Sequence, residues 1–115
     1  MFASLMVLFA LAGDPPQEAA APRLWTGDEV TFLARPQPEF PTRARSSRGE
    51  ARLICTVTAR GAFSDCQIET ETPKGNGFGS AAMAAMHRGA RIEMSADGPT
   101  EGDRVDVSIA FSNGR

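Results

Sequence analysis

The stretch CTVTARGAFSDCQI, residues 55–68, decides the fold. It holds both cysteines of the chain and reads as two half-buried strands around a turn. On the first arm Leu53, Cys55 and Val57 alternate with Arg52, Thr56 and Thr58, with Ile54 the exception. On the second, Cys66 and Ile68 alternate with Asp65, Gln67 and Glu69. An even-length turn, over Arg60-Gly61 or residues 59–62, sets Cys55 opposite Cys66, Leu53 opposite Ile68 and Arg52 opposite Glu69. That gathers the apolar partners on one face and pairs opposite charges on the other. An odd turn suits Gly61 at a left-handed bulge position. It also sets Ile68 against Arg52 and sends the cysteines to opposite faces, because a one-residue slip inverts a strand. The reading therefore takes the even turn, with the cysteines facing each other. Directly opposed Cα atoms lie ~4.5–5.5 Å apart, within reach of a disulfide. In an oxidising compartment such a pair is a disulfide; in the cytosol it is two free thiols.

Outward from the hairpin, the pattern changes period. TPKGNG, residues 72–77, is a loop, and helical signals follow from Ser80 as N-cap through AAMAAMHR to a stop at Gly89. Phe78, Ala82, Ala85 and Met86 share one face at helical spacing. SADGPTEG, residues 95–102, is turn-rich, and Val105, Val107, Ile109 and Phe111 then alternate with Asp106, Ser108 and Ala110 as a strand. Upstream, Pro36 and Pro38 exclude a helix or central strand, so residues 24–40 form an extended arm held down by Trp25 or Phe32. Pro41 sits at the first position of one short helical turn. The predicted architecture is α+β. A three-stranded antiparallel sheet, in the order 2-1-3, carries one helix on one face and is preceded by the arm and the turn.

A chain of 115 residues makes one domain at most. Residues 1–21 are set apart as a signal-like apolar segment and linker, and 22–115 as the domain. Phe2 to Ala12 is an uncharged apolar run, shorter than the ~20 residues that span a bilayer. It fits the core of a secretory signal, with small-residue cleavage sites at 10–12 or 19–21. No Lys or Arg precedes it, which a misplaced start codon would explain, and an inner-membrane anchor remains open on that account. Export places the domain in an oxidising compartment and makes the cysteines a disulfide. The net charge of -2 resides before Pro22, in Asp14 and Glu18. The remainder balances 12 acidic against 12 basic residues, a two-signed surface that argues against nucleic acid despite six Arg between Arg35 and Arg60.

The ingredients of an enzyme are poor. His87 is the only histidine, and nothing resembles a nucleophile motif, a glycine-rich phosphate cradle or a zinc-spaced cysteine set. Cys55, Cys66 and His87 lack a fourth metal ligand, and ten residues between the cysteines depart from the CxxC spacing of redox enzymes. The expectation is a non-enzyme without cofactor or metal. What the pattern offers is a sheet edge. A last strand paired on one side only presents its other amides and carbonyls to an extended peptide.

Taken together, FPTRARSSRGEARLICTVTARGAFSDCQIETETP resembles the C-terminal domain of TonB, the energy transducer of the Gram-negative envelope. Phe40, Pro41 and Ala44 match that family's aromatic-Pro-x-x-Ala signature, with Phe where Tyr is usual. Gly49 matches the glycine before the first strand, Gly61 the hairpin glycine and Asp65 a polar position toward the second strand. GFGSAAMAAM, with Phe78 and Gly79, resembles the helix that opens on an aromatic, and DGPTEGDRVDVSIAF the glycine-rich turn and final strand. The cysteine pair makes it similar to a short form within the family. The resemblance implies that the last strand is the edge to which the TonB box of an outer-membrane receptor adds. The implied binding residues are Val105, Asp106, Val107, Ser108, Ile109, Ala110 and Phe111. Inner-membrane transducer components are further implied partners. A full transducer has a long Pro-rich spacer, whereas DPPQEAAAP is nine residues and reaches only ~30 Å. The expected role is thus a periplasmic module that binds receptors or a transducer, with or without a place in energised transport. Two other readings stand beside it: a secreted, disulfide-stapled structural or inhibitor-like domain, and a thiol-redox protein with a readily reduced Cys55–Cys66 pair.

Overall fold

The computed structural model describes residues 21–113; the signal-like segment and nearly all of the linker lie outside them. The chain runs β1 (Leu24–Thr26), a 3-10 turn (Gly27–Glu29), β2 (Phe32–Ala34), β3 (Arg48–Val57), β4 (Phe63–Thr72), α1 (Phe78–Arg88), β5 (Arg91–Ile92) and β6 (Arg104–Ser112). The α+β class holds, but the sheet has four strands rather than three, in the order β1-β6-β3-β4, and β2 and β5 form a separate antiparallel pair. The three long strands keep the expected 2-1-3 arrangement, with β3 between β4 and β6. Among the described residues, no helix is long and apolar enough to cross a membrane.

The hairpin resolves the conflict between turn and register in a way the simple alternation did not offer. Its turn is odd: the Thr58 amide bonds the Ala62 carbonyl at 2.9 Å, closing a loop of Ala59, Arg60 and Gly61. Gly61 has φ 79, the left-handed backbone that this position requires and that glycine adopts without steric cost. Val57↔Phe63 and Thr56↔Ser64 follow that odd register. The register then shifts before Ile54↔Gln67, leaving Cys55 against both Asp65 and Cys66. Asp65 takes φ 51 in this bulge. One extra residue restores the even register, so Leu53 opposes Ile68 and the cysteines meet in a Cys55–Cys66 disulfide. A second shift leaves Glu69 without an opposite residue and sets Arg52 against Thr70. The predicted Arg52–Glu69 pair is therefore not made, and Arg52 bonds Asp106 on the other neighbouring strand. Ile68, though opposite Leu53, stays 38% exposed.

Helix α1 begins at Phe78, two residues ahead of the predicted Ser80 cap, with Gly77 at the N-cap position. Phe78 is fully buried and anchors the first turn, which is why the helix starts there. The apolar face holds as read: Phe78, Ala82, Ala85 and Met86 are buried together with Gly79. Small residues let the helix lie close over β3 and β4, and Ala51, Leu53, Cys55 and Val57 complete the core with Val105 and Val107. At Gly49, in β3, a Cβ would lie inside the van der Waals envelope of the Phe78 ring. Pro41 does not open a helical turn; residues 42–43 make a single turn closed by the Ala44 amide on the Pro41 carbonyl at 3.2 Å. Phe40 then packs edge-on to Phe78, centroids 5.6 Å apart, and Phe78 against Phe111 at 5.0 Å. The motif residues Phe40, Pro41, Ala44, Gly49, Phe78 and Gly79 thus tie the arm to the helix and the sheet.

Candidate functional site

β6 presents two different sides. Val105, Val107, Ile109 and Phe111 are buried toward the helix, whereas Arg104, Ser108 and Ala110 are exposed on the open face and Asp106 is partly covered there. Its backbone pairs continuously with β3 from Arg48↔Ser112 to Thr56↔Arg104. The opposite edge is not wholly free, as the one-sided reading of this strand had it. β1 runs parallel along it in the register Leu24↔Arg104, Trp25↔Val105 and Thr26↔Asp106. The Arg104 amide bonds the Arg23 carbonyl at 2.8 Å, so Arg104 and, by strand alternation, Asp106, Ser108 and Ala110 point their backbone groups to this outer side. β1 ends at Thr26. Beyond it the outward amides and carbonyls of Ser108 and Ala110 have no strand partner among the described residues.

A cleft of about 460 Å³ opens where β1 turns away. Gly27 and Asp28 form one end, Phe32, Arg35 and Pro36 of the arm the far wall, and Asp106 to Ile109 the near wall with Arg52. The Arg35 guanidinium lies 5.6 Å from the centroid of the Phe32 ring. Arg52 grips Asp106 through Nε at 2.9 Å and Nη2 at 2.6 Å. Those hydrogen bonds hold the Asp106 carboxyl below its usual range; partial burial pushes it up, and the guanidinium charge pulls it further down. The pair fixes one lip of the cleft without leaving either charge unmatched.

β1 is held from one end by a group that sequence reasoning missed. Asp103, 7% exposed, accepts the Arg23 amide on Oδ1 at 3.0 Å. Its Oδ2 accepts the Trp25 indole N–H at 2.9 Å and the Thr100 amide at 3.1 Å. Burial pushes this carboxyl up, but the bonds from Trp25, Arg23 and Thr100 outweigh it and leave it below its usual value. The only hint in the sequence is an aspartate directly ahead of the strand; its partners in the arm, Arg23 and Trp25, lie about eighty residues away.

The other candidate residues lie elsewhere. The Cys55–Cys66 disulfide sits in the core between hairpin and helix, and His87, exposed on α1, accepts the Cys66 amide on Nε2 at 3.5 Å. Gly61 carries the turn and its carbonyl receives the Ile92 amide of β5 at 2.8 Å. Among the described residues, no group of three or more His, Cys, Asp or Glu side chains is arranged to hold a metal ion.

No family model matches the chain, and no curated protein matches it. Among solved structures, it is similar to the TonB2 protein from Vibrio anguillarum, with a TM-score of 0.54 and 22% identity over 96% of this chain and 100% of the other. At that identity the likeness is one of fold, and the fold of this chain is TonB-like.

Proposed function

We propose that this chain is a periplasmic protein-binding module that takes an extended peptide, of the kind presented by the TonB box of an outer-membrane receptor, by strand addition to β6. The observation that carries the reading is the run of outward backbone groups at Ser108 and Ala110, without a strand partner and bordered by an open cleft. A strand edge supplies affinity through main-chain hydrogen bonds, and neighbouring pockets supply selectivity. The role is one of binding rather than catalysis, without a cofactor, and export rests on the signal-like N-terminus. The TonB-like fold supports the choice of ligand, and inner-membrane transducer components are the second class of partner.

Titration of the ¹⁵N-labelled, oxidised chain with a panel of TonB-box peptides tests the reading. Saturable shifts concentrated at Val107, Ser108, Ile109, Ala110 and Phe111 are the expected result. No shift at millimolar peptide removes the receptor-binding role. One observation favours a second reading, a secreted structural or inhibitor-like domain: β1 already blocks the edge at residues 104–106. That reading predicts no peptide binding at β6 at all.

A further inference from the structure

The first third of β6, Arg104 to Asp106, carries an occupant from the chain itself. Three paired residues hold a strand poorly on their own, because the entropy of fixing each backbone nearly cancels its hydrogen bonds. β1 has more than that. The buried Asp103 carboxylate binds the Arg23 amide and the Trp25 indole together, 3.0 and 2.9 Å away. Asp103 is itself mounted on the sheet, since its carbonyl accepts the Val57 amide of β3 at 2.7 Å. Trp25 is 7% exposed, and the Arg23 guanidinium covers its ring at 4.0 Å. A ligand that displaced β1 would have to expose the indole and leave a buried carboxylate short of two of its donors.

We propose that Asp103 is a clasp that locks β1 as a fixed cap over residues 104–106, confining any added strand to residues 107–111. The proposal rests on the strand-addition reading and makes Asp103 a positioning residue, since it touches no ligand. It sets a length: an added strand meets the end of β1 at Gly27, so about five residues, at ~3.3 Å each, complete the pairing. The remainder of a longer peptide gains nothing from the edge.

Hydrogen exchange and peptide titration of the full oxidised chain test this, with Trp25→Phe and Asp103→Asn as variants. Trp25→Phe removes the donor and part of the ring while keeping an aromatic side chain at the site, and Asp103→Asn keeps the volume of the clasp and removes its charge. The probes are a receptor TonB-box peptide of five residues and one of ten. In the unaltered protein the Arg104 and Asp106 amides should stay protected and unshifted at saturation, and both peptides should bind alike. In the variants, protection at Arg104 and Asp106 should fall about ten-fold, shifts should reach Arg104, and the longer peptide should gain about ten-fold in affinity. Loss of protection at Arg104 when peptide binds the unaltered protein overturns the proposal, because β1 is then displaced. Unchanged protection in both variants overturns it too, because Asp103 is then no clasp. If no peptide binds any form, strand addition itself fails and the confinement falls with it, whatever exchange shows about β1.

Discussion

Reduction of the Cys55–Cys66 disulfide should weaken the fold by an amount that can be worked out in advance. The bond joins residues with a sequence separation of 11. In the chain-entropy model a loop of that size restricts the unfolded ensemble by about 2.8 kcal/mol at 25 °C. A domain of this size has roughly 5–10 kcal/mol in total, so between about a quarter and a half of its stability is at stake. Comparing oxidised and reduced wild-type protein leaves the side-chain volumes nearly unchanged, which a double alanine variant would not. With a urea m-value of ~1–2 kcal/mol/M, the midpoint should fall by about 1.5–3 M. The second readout is register. The bulge at Asp65 takes φ 51, a conformation unusual for a non-glycine residue, and only the bulge turns Cys66 inward beyond the odd turn. Nuclear Overhauser contacts between Leu53 and Ile68 report the even register directly. They should weaken on reduction as the hairpin samples the unbulged pairing. Coincident urea transitions, within about 0.5 kcal/mol, would refute the argument and mean that the core alone holds the hairpin.

Three further outcomes follow from particular contacts. Gly49→Ala puts a methyl group into the Phe78 ring and should cost about 2–3 kcal/mol, read by urea denaturation; a neutral result would mean that Phe78 can move aside. Asp103 and Asp106 both titrate lower folded than unfolded, so their contribution is fully present above the ordinary value near 3.8 and is lost as pH falls through their folded values. Stability measured from pH 6 down to pH 2 should therefore decline mainly below about pH 4, and Asp103→Asn should flatten that decline. Arg52→Gln removes an ion pair whose two side chains are 48% and 16% exposed, and in the same denaturation assay it should move the midpoint far less than Gly49→Ala does.

How far the sequence could be read depended on how local each signal was. The alternation of Leu53, Cys55 and Val57, the alanine-rich face of α1 and the alternation of β6 are written in consecutive residues, and each reached the structure as the element it suggested. The hairpin turn needed two facts at once. Gly61 asked for an odd loop and the apolar partners asked for an even register; choosing between them was the error, because a bulge at Asp65 satisfies both. The same kind of insertion at Glu69 redirected Arg52 to Asp106.

The edge of β6 was the least legible feature, and it governs the candidate site. β1 is Leu24–Thr26 only, too short for any alternation to register, and its partner strand begins about eighty residues later. Trp25 was legible as an anchor, but nothing in the arm states that the anchor is Asp103 or that anchoring lays the backbone parallel on the last strand. A parallel pair of this kind needs no turn signal, since its connection is the whole domain. The consequence is physical. The indole that holds the arm down also decides how much of the edge is left, because the chain can leave β6 only where Gly27 and Asp28 turn it into the cleft wall. Extending β1 by two residues would cover Ser108 and leave a strand with little edge to share. The three-residue length of β1, rather than any side chain of β6, therefore separates an open edge from a closed one.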